Sequence, residues 1–362
     1  MPTAVRRIDQ FVPSYVLHDA IGNHVTQLRR LLRDAGYESD IWYEHLDPRM
    51  AGDVRSYTEC DPAPDPNRLI LYHASTHSEM ADWIMTAGAA GQRIAVDYHN
   101  ITPASYFSSW EPKAARSMEE ARRQLAALAP LFRGAVADSE YNALELAEFG
   151  IMGATACPIL LDTSEYHAPP DPDGATRWPG DPLWLFVGRV APNKCQHDVI
   201  AAFAVYRRLY APAARLAVIG AVTSARYKKQ LSAMVDDLGL AGAVDLAGST
   251  PFPELLAAFG RADVFVCLSE HEGFCVPVIE AMELGVPVVA YSAAAVTETV
   301  ADAGVLLGDK DPLVVAAAVN ELLSDRDRTQ TMIERGRARA SGFSFDQTSK
   351  RWLIEIDRLA TA

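Results

Sequence analysis

Apolar positions along the chain fall into two alternating patterns. Short continuous apolar runs, of the kind expected of strands buried on both faces, occur at residues 8–12, 68–73 (RLILYH), 93–96, 134–139 (GAVADS) and 157–161 (CPILL). They recur at 183–187 (LWLFV), 215–220, 244–248, 262–268 (ADVFVCL), 286–290 (VPVVA) and 305–307. Between them lie stretches with apolar residues three and four apart. Val25, Leu28, Leu31 and Leu32 mark one helix, stopped by Gly36. Further helices are predicted from Met80, over 111–131, over 139–149 with Ser139 as N-cap, to about 210, over 227–238 and over 253–259. Another starts at Pro277, where a missing N–H costs nothing, and closes at Gly285; the last two cover 311–323 and 343–359. Strand and helix in alternation predict an α/β protein built on parallel sheets.

Every periodicity breaks in TSEYHAPPDPDGATRWPGDP, the best linker in the chain by composition. It divides the chain into residues 1–165, a linker at 166–182, and a second domain at 183–342, with a final helix in 343–362. Its Asp171-Pro172-Asp173 has the form of a metal-binding Asp-x-Asp but reads as a turn, because a proline-rich linker is a poor scaffold for ligands. At 362 residues the length suits two domains.

Charge and composition narrow the class. A net charge of −14 argues against a nucleic-acid partner. Local basic clusters at Arg29, Arg30 and Arg33, and at Arg116, Arg122, Arg123 and Arg133, leave peripheral contact with an anionic membrane open beside the reading as solvated helix faces. No apolar run reaches the ~20 residues of a membrane-spanning helix, and the first residues read as no signal peptide. Five cysteines without Cys-x-x-Cys spacing favour neither zinc nor a disulfide framework, so a cytoplasmic protein is expected.

Candidate chemistry gathers where strands end. Gly188-Arg189-Val190-Ala191-Pro192-Asn193-Lys194 follows an apolar strand and precedes a helix. Two cations there oppose the helix dipole, a sign that a bound diphosphate would reverse. Around Ser269–Ala290 (SEHEGFCVPVIEAMELGVPVVA) the N–H groups of Gly273, Phe274, Cys275 and Val276 lie at a helix start, an anion site. Glu272 and Glu280 flank it. A carboxylate accepts sugar hydroxyls but repels phosphate, so the inferred ligand joins an anion to hydroxyl-bearing groups. Against this stands the plainer reading, in which Glu280 complements the dipole and Glu272 is solvated. In the first half, Asp97-Tyr98-His99-Asn100 sits at a strand's carboxyl end, where open α/β sheets place their sites. His73 and His77 are the other histidines considered, and Gly22 and Asn23 form a glycine-containing corner before the first helix. Gly248 and Ser249 end a later strand, where they could line a base pocket.

The segments EGFCVPVIEAM and GRVAPNK resemble the signatures of the retaining family 4 glycosyltransferases of GT-B fold, a resemblance that thins in the first half. It implies two Rossmann-like domains facing across a cleft, with the C-terminal helix packed back on the first. Arg189 and Lys194 would bind the donor's diphosphate, Glu272 the transferred sugar, Glu280 the ribose, and His99 would lie against the reacting sugar. Gly22 and Asn23 would lie beside the phosphates and the acceptor. The implied activity, of hexosyltransferase class, moves a sugar from a GDP-, UDP- or dTDP-sugar to a hydroxyl of a glycan, glycolipid or natural product. Retention, no metal and no cofactor beyond the co-substrate are implied with it. A GT-B sugar phosphorylase, a sugar-nucleotide epimerase and a non-catalytic nucleotide-sugar-binding protein are the rivals.

Overall fold

Two all-parallel sheets take up the short apolar runs. The computed structural model describes residues 5–16, 19–171 and 177–361. Its chain divides into two units, one of residues 1–104, 113–162 and 343–362, the other of 105–112 and 163–342.

The first unit holds β1 (Arg7–Tyr15), β2 (Ile41–Leu46), β3 (Arg55–Ser56), β4 (Arg68–Ala74), β5 (Arg93–Tyr98), β6 (Phe132–Ala137) and β7 (Thr155–Ala156), in spatial order β3-β2-β1-β4-β5-β6-β7. Helices α1 (Ala20–Asp34), α2 (Met80–Ala89), α3 (Pro112–Leu128) and α4 (Glu140–Glu148) connect them. RLILYH is apolar at successive positions because β4 is covered twice. Ile70 and Tyr72 pack with Phe11, Ile94 and Val96 on one face, and Leu69 and Leu71 with Ile8, Leu28 and Val136 on the other.

The second unit holds β8 (Leu183–Val187), β9 (Arg215–Ile219), β10 (Val244–Gly248), β11 (Val264–Cys267), β12 (Val288–Tyr291) and β13 (Val305–Leu307), ordered β10-β9-β8-β11-β12-β13. Its helices are α5 (Gln196–Leu209), α6 (Ala225–Asp237), α7 (Phe252–Arg261), α8 (Val276–Glu283), α9 (Val296–Val300), α10 (Pro312–Ser324) and α11 (Arg326–Ser341). Trp184, Phe186, Phe203, Leu216, Val218, Val264 and Val266 lie in its core. In both units the strand order reverses between the first and fourth strands, the doubly wound Rossmann arrangement. Ligands of such sheets bind outside the carboxyl ends of the strands at that reversal.

The last helix, α12 (Phe345–Thr361), groups with the first unit. Its Trp352 is fully buried, and Nε1 donates to Pro158 O at 2.9 Å.

Some elements differ from expectation. CPILL is not a strand: β7 is confined to Thr155–Ala156. Cys157 N–H still reaches Ala137 O at 2.8 Å, but past it side chains take the backbone groups, Trp352 binding Pro158 O and His24 the Leu160 N–H. Strands β2 and β3 were not predicted; IWYEHL mixes apolar and polar residues because β2 is only partly covered. Gly22 and Asn23 lie inside the first turn of α1, not before it, and Asp19 is the N-cap. A Cβ at Gly22 would meet Val16 O at 2.5 Å, so only glycine fits that approach. Asp171-Pro172-Asp173, read as a turn, lies in part outside the described residues. Among the described residues no helix is long and apolar enough to cross a membrane.

Candidate functional site

In the second unit the loops after β8 and β11, the two strands at the reversal, are tied together. Asn193 Nδ2 donates to His271 O at 3.1 Å, and Glu270 N–H to Asn193 O at 3.0 Å. Both loops end alike. Cys195 before α5 and Cys275 before α8 have φ of 51° and 74°, and neither caps its helix with a side-chain hydrogen bond. Left-handed backbone is costly for a non-glycine residue, and such strain clusters at ligand sites. Here it turns each chain abruptly from strand end into helix. Gly188 N–H bonds Ile219 O and Gly220 N–H bonds Gly248 O, both at 2.9 Å, which laces in the loops after β9 and β10. Ser249 follows directly.

Between the two loops Lys194 Nζ donates to Glu272 Oε2. This pairing removes the unfavourable meeting of a cation with a helix N-terminus. Arg189 is exposed, and among the described residues its side chain has no ion-pair partner; its carbonyl accepts from Gln196 Nε2 at 2.9 Å. Around Gly273 and Phe274 the loop is anchored from behind, since Thr299 Oγ1 donates to Phe274 O and Ala295 N–H to Glu272 O. Cys267 and Cys275, both buried, have their sulfurs 3.9 Å apart beneath it. Glu280, in α8, accepts from the Tyr166 hydroxyl at 3.0 Å. Burial raises the Glu280 carboxyl to about 7, against the opposing pull of that hydrogen bond. Arg189, Lys194, Glu272, Gly273–Val276, Glu280, Gly248 and Ser249 thus share one end of one sheet.

His99 lies in the first unit, at the end of β5, within a buried polar cluster. His24 Nδ1 accepts the Leu160 N–H at 2.9 Å, so its proton sits on Nε2, 3.0 Å from Asp97 Oδ2. Gln10 Nε2 donates to Val25 O, which turns Oε1 toward His73 Nε2–H at 3.1 Å. His73 Nδ1 then accepts from His99 Nε2–H at 2.9 Å, and His99 Nδ1–H donates to Asp138 at 3.0 Å. Both nitrogens of His99 are donors, which makes the ring an imidazolium. Burial works against that charge, but Asp138 and Asp97 outweigh it and raise His99 to about 9. His73, where burial dominates, is lowered to about 4.

One donor atom from each of His24, His73, Asp97 and His99 lies within 4.8 Å of the others, close enough for a metal ion. The geometry is nevertheless that of hydrogen bonds. The His73 and His99 rings are within 5° of parallel with centroids 5.2 Å apart. With nitrogens 2.9 Å apart, that separation places both centroids and both nitrogens on one line. Lone pair and N–H therefore point at each other, and beside them Asp97 Oδ2 lies 3.0 Å from His24 Nε2, 3.2 Å from His73 Nδ1 and 3.4 Å from His99 Nε2, where a carboxylate oxygen already fills the centre of the cluster. His24, its Nδ1 taken by a backbone N–H, would have to become an imidazolate to ligate through Nε2.

Asn100, at φ 74°, is held by a second network. Its Nδ2 donates to Asn142 Oδ1 at 2.9 Å and Glu145 Oε2 at 3.1 Å, while Arg122 bridges Glu145 and Ile101 O. Arg122 is thus structural, and Arg33, with partners Asp40 and Asp53, is likewise paired. His77 is separate from the cluster of His24, His73, Asp97 and His99. His24 and Asp138 were missed by sequence reasoning, although Asp138 carries the signal used for His99, a polar residue at a strand's end. Tyr166 was missed because it lies in a stretch read only as linker.

The model of the family "Glycosyl transferases group 1" matches residues 173–339, the part of the chain that carries the second-unit site. The chain is 31% identical over 178 residues to D-inositol 3-phosphate glycosyltransferase of Corynebacterium urealyticum, covering 48% of this chain and 42% of that protein. It is 33% identical over 195 residues to the GDP-mannose-dependent alpha-(1-6)-phosphatidylinositol monomannoside mannosyltransferase of Mycolicibacterium smegmatis, covering 50% of each. The chain thus spans half the length, or less, of these curated relatives. Among solved structures, sucrose-phosphate synthase from Thermosynechococcus elongatus superposes with a TM-score of 0.74 at 18% identity, over 98% of this chain and 99% of that one. Anabaena HepE in complex with UDP-glucose does so with 0.73 at 16% identity, over 97% and 99%. The fold is GT-B, with two Rossmann-like units.

Proposed function

We propose that the chain is a retaining, metal-independent glycosyltransferase that moves a sugar from a nucleotide-diphosphate-sugar to an acceptor hydroxyl. The observation that carries this reading is the Lys194–Glu272 pair, set between two helix starts at the strand-order reversal of the second sheet. The family match over the same residues and the solved neighbour bound to UDP-glucose support it.

A diphosphate entering this corner meets Arg189, Lys194 and the N-terminal ends of α5 and α8. Lys194 exchanges Glu272 for phosphate, and Glu272 is released to accept sugar hydroxyls. As the glycosidic bond to phosphate lengthens and the acceptor oxygen bonds the same face of the anomeric carbon, negative charge grows on the leaving diphosphate, which takes up the acceptor hydroxyl's proton. Preorganised cations and backbone N–H groups then stabilise the transition state more than the ground state. Lys194, held between the loops, and the exposed Arg189 supply the charge that a divalent ion supplies elsewhere. Glu280 holds the ribose. His99, carried over from the family resemblance, is a fixed cation in the first unit; the sugar contact assigned to it belongs to this reading. The acceptor is a glycan, glycolipid or natural product.

The test is incubation with GDP-mannose, UDP-sugars and dTDP-sugars, each with hydroxyl acceptors and excess EDTA. Expected are an α-linked product from an α-linked donor, and turnover reduced about 10²–10³-fold in Arg189→Ala and Lys194→Ala. Wild-type turnover by both folded variants would contradict the assignment. An inverted anomeric centre would contradict retention, and loss of activity in EDTA would contradict metal independence.

A further inference from the structure

Glu280 has a partner that no part of the preceding mechanism uses. Tyr166 lies in the 3-10 turn Thr163–His167, at the head of the stretch read as linker, with its ring 6.0 Å from that of Phe252. Its hydroxyl donates to Glu280 Oε1 at 3.0 Å. Among the described residues the other oxygen, Oε2, has no hydrogen-bond partner. A carboxylate fixed through one oxygen presents the second in one direction, where its lone pairs can accept ribose hydroxyls.

We propose that Tyr166 is a positioning residue for Glu280: by holding Oε1 it aims Oε2 at the ribose of the bound donor. This rests on the reading of the second unit as a nucleotide-sugar site. Its consequence is a pH dependence of donor binding set by a tyrosine outside the β8 and β11 loops. The hydrogen bond favours the ionised carboxyl, opposing the burial that raises it to about 7. Titratable and charged groups on the elements around α8 are Glu165 and His167 of the turn, Glu283 of α8, Cys267 of β11, Tyr291 of β12, Glu298 of α9, and Arg326, Asp327, Arg328, Glu334, Arg335, Arg337 and Arg339 of α11. His167 faces Glu283 at 3.5 Å, Arg337 lies against Gly285, and Arg339 holds the Glu298 and Thr299 carbonyls. Among the described residues none of these makes a hydrogen bond or ion pair with Glu280.

The experiment measures the affinity of UDP-, GDP-, ADP- and dTDP-glucose, whose diester diphosphate carries no group titrating near neutrality, by calorimetry across neutral pH for wild type, Tyr166→Phe and Glu280→Gln. In wild type, affinity for the preferred nucleotide should fall as pH drops through about 7, where Glu280 takes up its proton. Tyr166→Phe keeps the ring beside Phe252 but removes the donor. Its midpoint should move to higher pH, so that binding is several-fold weaker at neutrality and recovers at alkaline pH. Glu280→Gln should bind weakly with no midpoint. A uniform loss in Tyr166→Phe with an unmoved midpoint would make the tyrosine merely structural and overturn the proposal, as would unaltered binding. Should that variant not fold, a midpoint that persists in Glu280→Gln overturns it equally. If no nucleotide-sugar binds wild type at any pH, the functional reading fails first, and this inference with it.

Discussion

His99 and His73 face each other with opposite protonation preferences, and stability should record both. A histidine raised to about 9 in the folded state binds its proton more tightly than in the unfolded chain, where the ordinary value is 6.5. Its stabilisation is complete below 6.5 and is lost as pH climbs through 9. His73, lowered to about 4, acts the other way, since the unfolded chain takes up a proton between 6.5 and 4 that the folded one refuses. Asp97 adds to the acid limb: its carboxyl lies well below the usual range, the surrounding histidines outweighing its burial. We expect the first unit to be most stable near pH 6.5, weakening on both sides. Hydrogen exchange of the β4 and β5 amides, corrected for the intrinsic rate, reads this directly. His99→Gln should lower protection and abolish the alkaline limb. A protection profile flat from pH 5 to 9 would contradict the assigned proton positions. Sequence alone could place His99 at a strand end, because the pattern of polar residues there is local. It could not pair that ring with His73, His24 and Asp138, since those contacts are made by strand register and by α1 crossing the sheet.

At the scale of elements, the loops at the sheet ends depend on close backbone approach. Gly220 has φ +149°, and a Cβ there would meet Gly188 O at 2.0 Å. Gly220→Ala must therefore push the Gly188–Lys194 loop away, and should weaken nucleotide binding while leaving the first unit's exchange protection unchanged. Ser139 caps α4 by accepting from Asn142 N–H at 3.1 Å. Ser139→Ala should cost about 1 kcal/mol, measured by chemical unfolding. That cap was legible because capping is a local rule, and so were strands buried on both faces. Elements at the sheet margins were not: IWYEHL is only partly covered. CPILL has a strand's composition, yet α12 and His24 bind its backbone from far away in sequence.

At the scale of the molecule, the two Rossmann-like units differ in how much of their chemistry is local. The second unit's site comes from two short segments with recognisable spacing, and the family model matches that part of the chain. The first unit is completed by a helix from the far end of the sequence. Trp352 of α12 fills its core, so Trp352→Ala should cost about 3–5 kcal/mol, seen as loss of protection in the first sheet. Nucleotide binding by the second unit should persist at temperatures where that variant remains folded.

The most direct test of the account is a thermal-shift measurement with UDP, GDP, ADP and dTDP in the presence of EDTA. A ligand that binds only the folded state stabilises it by about 2.7 kcal/mol at a hundred times its Kd. One nucleoside diphosphate should raise the melting temperature of wild type, and the shift should vanish in the Arg189→Ala, Lys194→Ala double variant. No shift from any of the four, or a shift that survives the double substitution, would contradict a diphosphate site at the ends of β8 and β11.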